Sequence, residues 1–180
     1  MVVFWVLDSG VNAMVAEATR RAVWNDLLDV SRVARYAEAM GSQYRVRHLF
    51  IRFGLLVAAS GSMATFLDVL GGHWRIGFGL AIAALIAADF MLDYATKIAV
   101  LSSTKRECNV LEAEWRELWL DVDSPESTDA EIRRRNRDLV RQFERATSPM
   151  DEQVRVSERT NVRCTRAAFK VTREQYAPSR

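Results

Sequence analysis

Two apolar stretches in the middle of the chain limit what it can fold into. Residues 53–67 are fifteen residues without a charge, and after a short Gly-containing turn a second apolar run covers residues 76–88. A bilayer core takes about twenty mostly apolar residues per helix. Each stretch reaches that length only by adding its flanks, 49–70 and 75–95, which admits Arg52, Asp68, Asp89 and Asp93. Runs of about ten to fourteen residues are more often buried core, so a soluble bundle with two buried helices competes with a membrane hairpin. The turn is too short to hold a domain, and two runs joined in this way are hard to place in a soluble chain. The hairpin is therefore the reading adopted.

The averages conceal this segregation. A mean hydropathy of −0.08 and a charged fraction of 27% would suit a soluble protein. By segment, however, there are seven basic and five acidic residues up to Arg52, five and ten over 53–127, and thirteen and eight from Thr128 onward. The ends are basic and the middle is acidic. Arg45, Arg47 and Arg52 precede the first run, Lys97, Lys105 and Arg106 follow the second, and only Arg75 lies in the turn. Positive charge collects on the cytosolic side of membrane helices, so both termini are expected there. Trp74 in the turn suits an interfacial anchor.

The flanks read as helices. Over 15–48, Val23, Leu27, Val30, Ala34 and Ala37 form one stripe, widened by Trp24 and Leu28, with a break or bend expected at Gly41. After the second span the pattern continues without interruption. Leu111, Trp115, Leu118 and Val122 share a face, so the helix is expected to leave the membrane as a stalk reaching Asp121. Thr128 and Glu131 have capping-box spacing and open a basic helix with Ile132, Leu139, Val140 and Phe143 as its apolar side. Ser148 and Pro149 signal its end and a new start. The tail is read as helix, with Val162, Thr165, Phe169, Thr172 and Tyr176 on its stripe. Four regions result: an N-terminal cytosolic amphipathic region (1–48), a transmembrane hairpin (49–95), a stalk with the basic helix (96–147) and a C-terminal helical tail (148–180). The expected class is all-α, an integral membrane hairpin of two transmembrane helices on a cytosolic helical bundle.

Asp89, Asp93 and Lys97 fall at four-residue steps on one helix face. An acidic residue inside a span is costly and marks a pathway or a pairing. They are pore or gate candidates, together with Arg52, which lies near the depth of Asp93 and could pair with it or snorkel to the surface. The alternative places Asp93 and Lys97 at headgroup level with Asp89 paired to a neighbour. Gly54, Ala58 and Ser62 in the first span, and Gly77, Gly79 and Ala83 in the second, allow close helix approach in lipid, including between copies of the chain. Trp115, Trp119 and the cluster Arg133, Arg134 and Arg135 are candidates for stalk contacts or a partner surface. With no aromatic interleaving or nucleic-acid motif around these arginines, pairing with the acidic stalk is preferred to nucleic acid.

Catalytic signatures are lacking. Residues 6–11 resemble the aspartate motif of subtilisin-like proteases, but a triad needs a positioned histidine, and His48 and His73 are the only two. Cys108 and Cys164 have no metal-ligand spacing and, on the cytosolic side, are expected as free thiols. Residues 1–7 are too short for a signal-peptide core, and the true start is expected at Met1 or Met14. No enzyme activity and no cofactor are implied.

In several places the chain resembles the SLATT domains of bacterial conflict systems, over about 24–143. The resemblance is carried by Arg35-Tyr36-Ala37 before the first span, by Tyr44 to His48 leading into it, and by the tight hairpin. Leu92-Asp93-Tyr94-Ala95 at the end of the second span and the stalk from Leu111 to Trp119 complete it. It implies a two-transmembrane effector that oligomerises in the inner membrane and permeabilises or depolarises it during an antiphage response. The partners implied are the lipid bilayer, copies of the chain, and a separately encoded sensor or nucleotide-signal protein. A membrane anchor recruiting a cytosolic partner, or a small cation channel, is the alternative.

Overall fold

The computed structural model describes residues 15–59 and 72–176, with the side chains of 59, 72–76, 78, 88–90, 175 and 176 excepted. Within them the protein is all-α and contains no strand. Five helices follow in order: α1 (Glu17–Ala59), α2 (Gly72–Leu92), α3 (Tyr94–Val122), α4 (Asp129–Gln153) and α5 (Glu158–Tyr176). At 1.5 Å per residue, the 43 residues of α1 extend about 64 Å. This helix is the spine. It packs along α3 and carries α5, α2 and part of α4 against its sides.

The core follows from apolar spacing. Val23, Leu27, Val30, Ala34 and Ala37 of α1 are all buried, as their alternating steps of four and three require. From α3, Leu101, Thr104, Cys108, Leu111, Trp115, Leu118 and Val122 keep the same rhythm and are buried too. Ile132, Leu139 and Ala146 of α4 close one cluster. A second, nearer the hairpin, joins Tyr36, Ala37, Met40 and Leu101 to Met150, Val154 and Cys164. Fully burying each large apolar side chain contributes about 1.5–3 kcal/mol, so these two clusters hold the bundle. Thr128 caps α4 as its spacing indicated, accepting from the Glu131 N–H at 3.4 Å.

Several expectations are corrected. Gly41 does not break the first helix, because α1 runs through it. It is buried where α1 packs on α3, and a methyl group there would meet Leu101 Cβ at 3.7 Å, an ordinary contact. The second span and the stalk are not one unbroken helix, since Asp93 takes a left-handed conformation (φ 40°, ψ 51°) and separates α2 from α3. Pro149 does not end the basic helix but lies inside α4. Proline removes one hydrogen bond and crowds the preceding turn, but only one further turn follows, and burial of Met150 and Val154 holds it in place. In α5 the buried stripe is Cys164, Ala168 and Thr172, whereas Val162, Thr165 and Phe169 are exposed. The tail's face is thus turned by about one residue from the expected one.

Among the described residues, no helix is long and apolar enough to cross a membrane. In α1, Arg52 interrupts the apolar part, whose described portion stops at Ala59.

The exposed hairpin and its junction as candidate functional site

Beyond Tyr44 the character of α1 changes. Leu49 (69% exposed), Phe50 (72%), Phe53 (63%) and Leu56 (70%) face outward, and from α2 so do Leu80 (66%) and Met91 (87%). Isolated exposed apolar residues are ordinary, but a contiguous group of this size marks an interaction surface. The two helices touch where Gly54 admits Leu85 Cδ1, 3.7 Å from where a glycine Cβ would be. Ala58 is half-buried. Among the described residues Gly77 and Gly79 meet nothing within 4 Å, and with Ala83 they are exposed, so the small-residue face of α2 is not covered by those residues. Ser62 lies outside the described residues.

At the base of the hairpin, the Tyr44 and Tyr94 rings lie 5.6 Å apart and His48 approaches Tyr94 edge-on at 6.5 Å. This fixes α1 against the α2–α3 junction. There Asp93 Oδ1 accepts the Thr96 N–H at 3.4 Å, and Lys97 Nζ donates to the Leu92 carbonyl at 2.8 Å. The side chain starting α3 and the ammonium closing α2 therefore stitch the junction. Asp93 and Lys97 were expected on one continuous face with Asp89, and the left-handed turn removes that continuity. Asp89 is in α2, but its side chain lies outside those described. Arg52 is exposed, and no ion pair between it and Asp93 occurs among the described residues.

Trp115 is not a partner-facing residue. It is fully buried, donates its indole N–H to Asn136 Oδ1 at 2.8 Å, and meets Phe143 edge-on at 5.9 Å. Asn136 in turn donates to Asp26 Oδ2 at 2.7 Å. Burial pushes the Asp26 carboxyl above the usual range, the Asn136 hydrogen bond opposes this, and the Asp29 charge adds to the rise. Trp119 is half-buried against Trp24, with ring centroids 5.1 Å apart. Asn136 is a residue the apolar reading passed over, yet it sits within the spacing Ile132, Leu139, Phe143. A lone amide in such a stripe is the signal that finds it.

The arginine cluster divides three ways. Arg135 reaches Asp121 of the stalk at 2.5 Å. Arg133 pairs with Asp129 at 2.5 Å on its own helix and with Thr19 Oγ1 on α1 at 3.0 Å. Arg134 is exposed. Elsewhere Arg20 pairs with Asp123, and Lys105 with Glu38 at 2.8 Å. The hydrogen bond from Lys105 and its charge hold the Glu38 carboxyl below the usual range, with Arg35 and Arg45 adding to the effect. Exposed pairs of this kind contribute about 0–1 kcal/mol each, so they set register more than stability. Both thiols are free and buried, and burial raises Cys108 to about 12, with Glu107 and Glu112 adding to the rise. Such a thiol is inert packing. No known family model, characterised protein or solved structure matches the chain.

Proposed function

We propose that the chain is a two-transmembrane membrane effector of the SLATT type, without enzyme activity, in the bacterial inner membrane with both termini cytosolic. The carrying observation is the apolar surface of α1 and α2 beyond the tyrosine pair, with Leu49, Phe50, Phe53, Leu56, Leu80 and Met91 exposed. Each residue of that surface left in water forgoes transfer energy of about 25 cal/mol per Å². Lipid, joined by further copies of the chain on the Gly77, Gly79 and Ala83 face, covers it best. Among the described residues no single helix is long and apolar enough to cross a membrane. The first apolar run continues in sequence to Leu67.

In this reading the cytosolic bundle holds a resting assembly, and a separately encoded sensor or nucleotide-signal protein releases it. The Asp93 junction gives the hairpin a hinge between bundle and bilayer. Repacking of α3 then reorients α2 and Asp89 and opens a lesion. The test is membrane potential and dye entry in bacteria after induced expression, with Asp89→Asn as comparison. Depolarisation that the substitution abolishes is the expected result. Intact potential at high expression would overturn the proposal. The scaffold alternative draws on Trp115, Trp119 and the basic helix; of these Trp115 is buried, whereas Arg134 is exposed.

A further inference from the structure

We infer that Arg45, Arg47 and Arg52 form a collar at the base of the hairpin that binds the headgroups of anionic phospholipids. The inference rests on the membrane reading above and adds a lipid class to it. Over residues 39–59, α1 carries these three arginines and no acidic residue. All three are exposed. Arg45, Leu49, Arg52 and Leu56 fall at steps of four, three and four, so two cations and two exposed leucines share one stripe of the helix. Arg47 projects from the other side, flanking the exposed Phe50.

Their level is set by the junction. Contact of Tyr44 with Tyr94 puts Arg45 beside the turn at Asp93, where the exposed apolar surface begins. Aromatic residues of this kind mark the headgroup zone. Arg52 lies about 10 Å deeper along the helix axis, within the range from which a long side chain turns back to the interface. The carboxylate facing the collar from the neighbouring element is Asp93, and its Oδ1 is engaged by the Thr96 N–H. Glu38, one helical stretch below, is engaged by Lys105. The collar is thus left net positive, and guanidinium groups bind phosphate in a planar, two-pronged way that suits a lipid headgroup.

The test is flotation of the full chain with vesicles of phosphatidylcholine alone and of phosphatidylcholine mixed with phosphatidylglycerol, at low and high salt. The expected result is binding to both, tighter to the anionic vesicles at low salt. An Arg45→Gln/Arg47→Gln/Arg52→Gln variant should lose that preference, weakening anionic binding by about a hundredfold, while its binding to neutral vesicles persists. A comparison variant, Arg134→Gln/Arg159→Gln/Arg163→Gln, removes equal charge from exposed positions on the bundle and should keep the preference. Equal helical content and melting of both variants establish that they are folded. The collar is overturned if the parent shows no preference, or if the two variants lose it alike. Absence of binding to either vesicle instead overturns the membrane reading, and the collar with it.

Discussion

The Trp115 indole N–H and the Asn136 side-chain carbonyl meet at 2.8 Å in the centre of the bundle, with both residues more than nine-tenths buried. Asn136 then donates an amide N–H to Asp26 on α1, so three helices are tied through one side chain. Buried polar groups of this kind are costly unless each finds its partner.

Asn136→Ala should therefore destabilise the fold by about 1–3 kcal/mol, since it strands a buried indole N–H as well as the Asp26 carboxylate. Trp115→Phe combined with Asn136→Leu should cost less than the two single substitutions added together, because both ends of the bond are removed. Thermal or denaturant melting of the four proteins gives the coupling. Strict additivity would mean that the bond contributes nothing.

Asp26 gives a pH dependence with a defined sign. Its carboxyl is raised above the usual range, chiefly by burial, so the folded state binds its proton more tightly than the unfolded state does. The stability this contributes is complete below the unfolded carboxylate value of about 3.9 and is lost as pH rises through the folded value. Asp26→Asn keeps an acceptor for Asn136 and removes the charge. Its stability relative to the parent should thus rise between pH 4 and pH 7. A flat or falling difference in melting temperature would contradict this.

At the junction, Asp93 combines a cap with a left-handed backbone. Asp93→Gly loses the hydrogen bond to Thr96 but suits the backbone, and should cost a few tenths of a kcal/mol. Asp93→Ala loses the bond while keeping a Cβ in the left-handed region, and should be less stable than the glycine variant by about 1–2 kcal/mol. Asp93→Asn should be nearly neutral. Melting in detergent ranks the three, and an alanine variant as stable as the glycine variant would remove the strain argument.

Gly41 allows a graded test of the α1–α3 contact. A methyl group there meets Leu101 Cβ at 3.7 Å, an ordinary contact, and glycine inside a helix is about 0.5–1 kcal/mol worse than alanine. Gly41→Ala should stabilise by that amount, whereas Gly41→Leu overpacks and should cost about 1–3 kcal/mol. Destabilisation by alanine would mean that the helices lie closer than described.

Much of the bundle was legible because its faces repeat in steps of three and four. Val23 to Ala37 on α1, and Leu111 to Val122 on α3, were readable as buried stripes from spacing alone. The junction was not, because one aspartate can continue a helix or cap the next, and only tertiary packing of Tyr94 on Tyr44 decides between them. Pro149 misled for the reverse reason, since burial of Met150 outweighs a local stop signal. Trp115 stood on the α3 stripe and was also a candidate partner surface, because spacing alone does not reveal the buried Asn136 that accepts its indole N–H. The two central stretches were readable as apolar runs, and Arg52, which interrupts the first helix, was equally plain.

The central claim is that the exposed faces of α1 and α2 contact lipid. In a Cys108→Ala/Cys164→Ala background, an environment-sensitive fluorophore would be placed by Phe53→Cys or Leu80→Cys, with Leu120→Cys as comparison. Leu120 is 67% exposed on the bundle, much like Phe53 at 63% and Leu80 at 66%. In reconstituted vesicles, the probes at 53 and 80 should shift to the blue and be quenched by spin-labelled acyl chains, and the probe at 120 should report water. Hairpin probes as wet and as unquenched as the one at 120 would contradict the account.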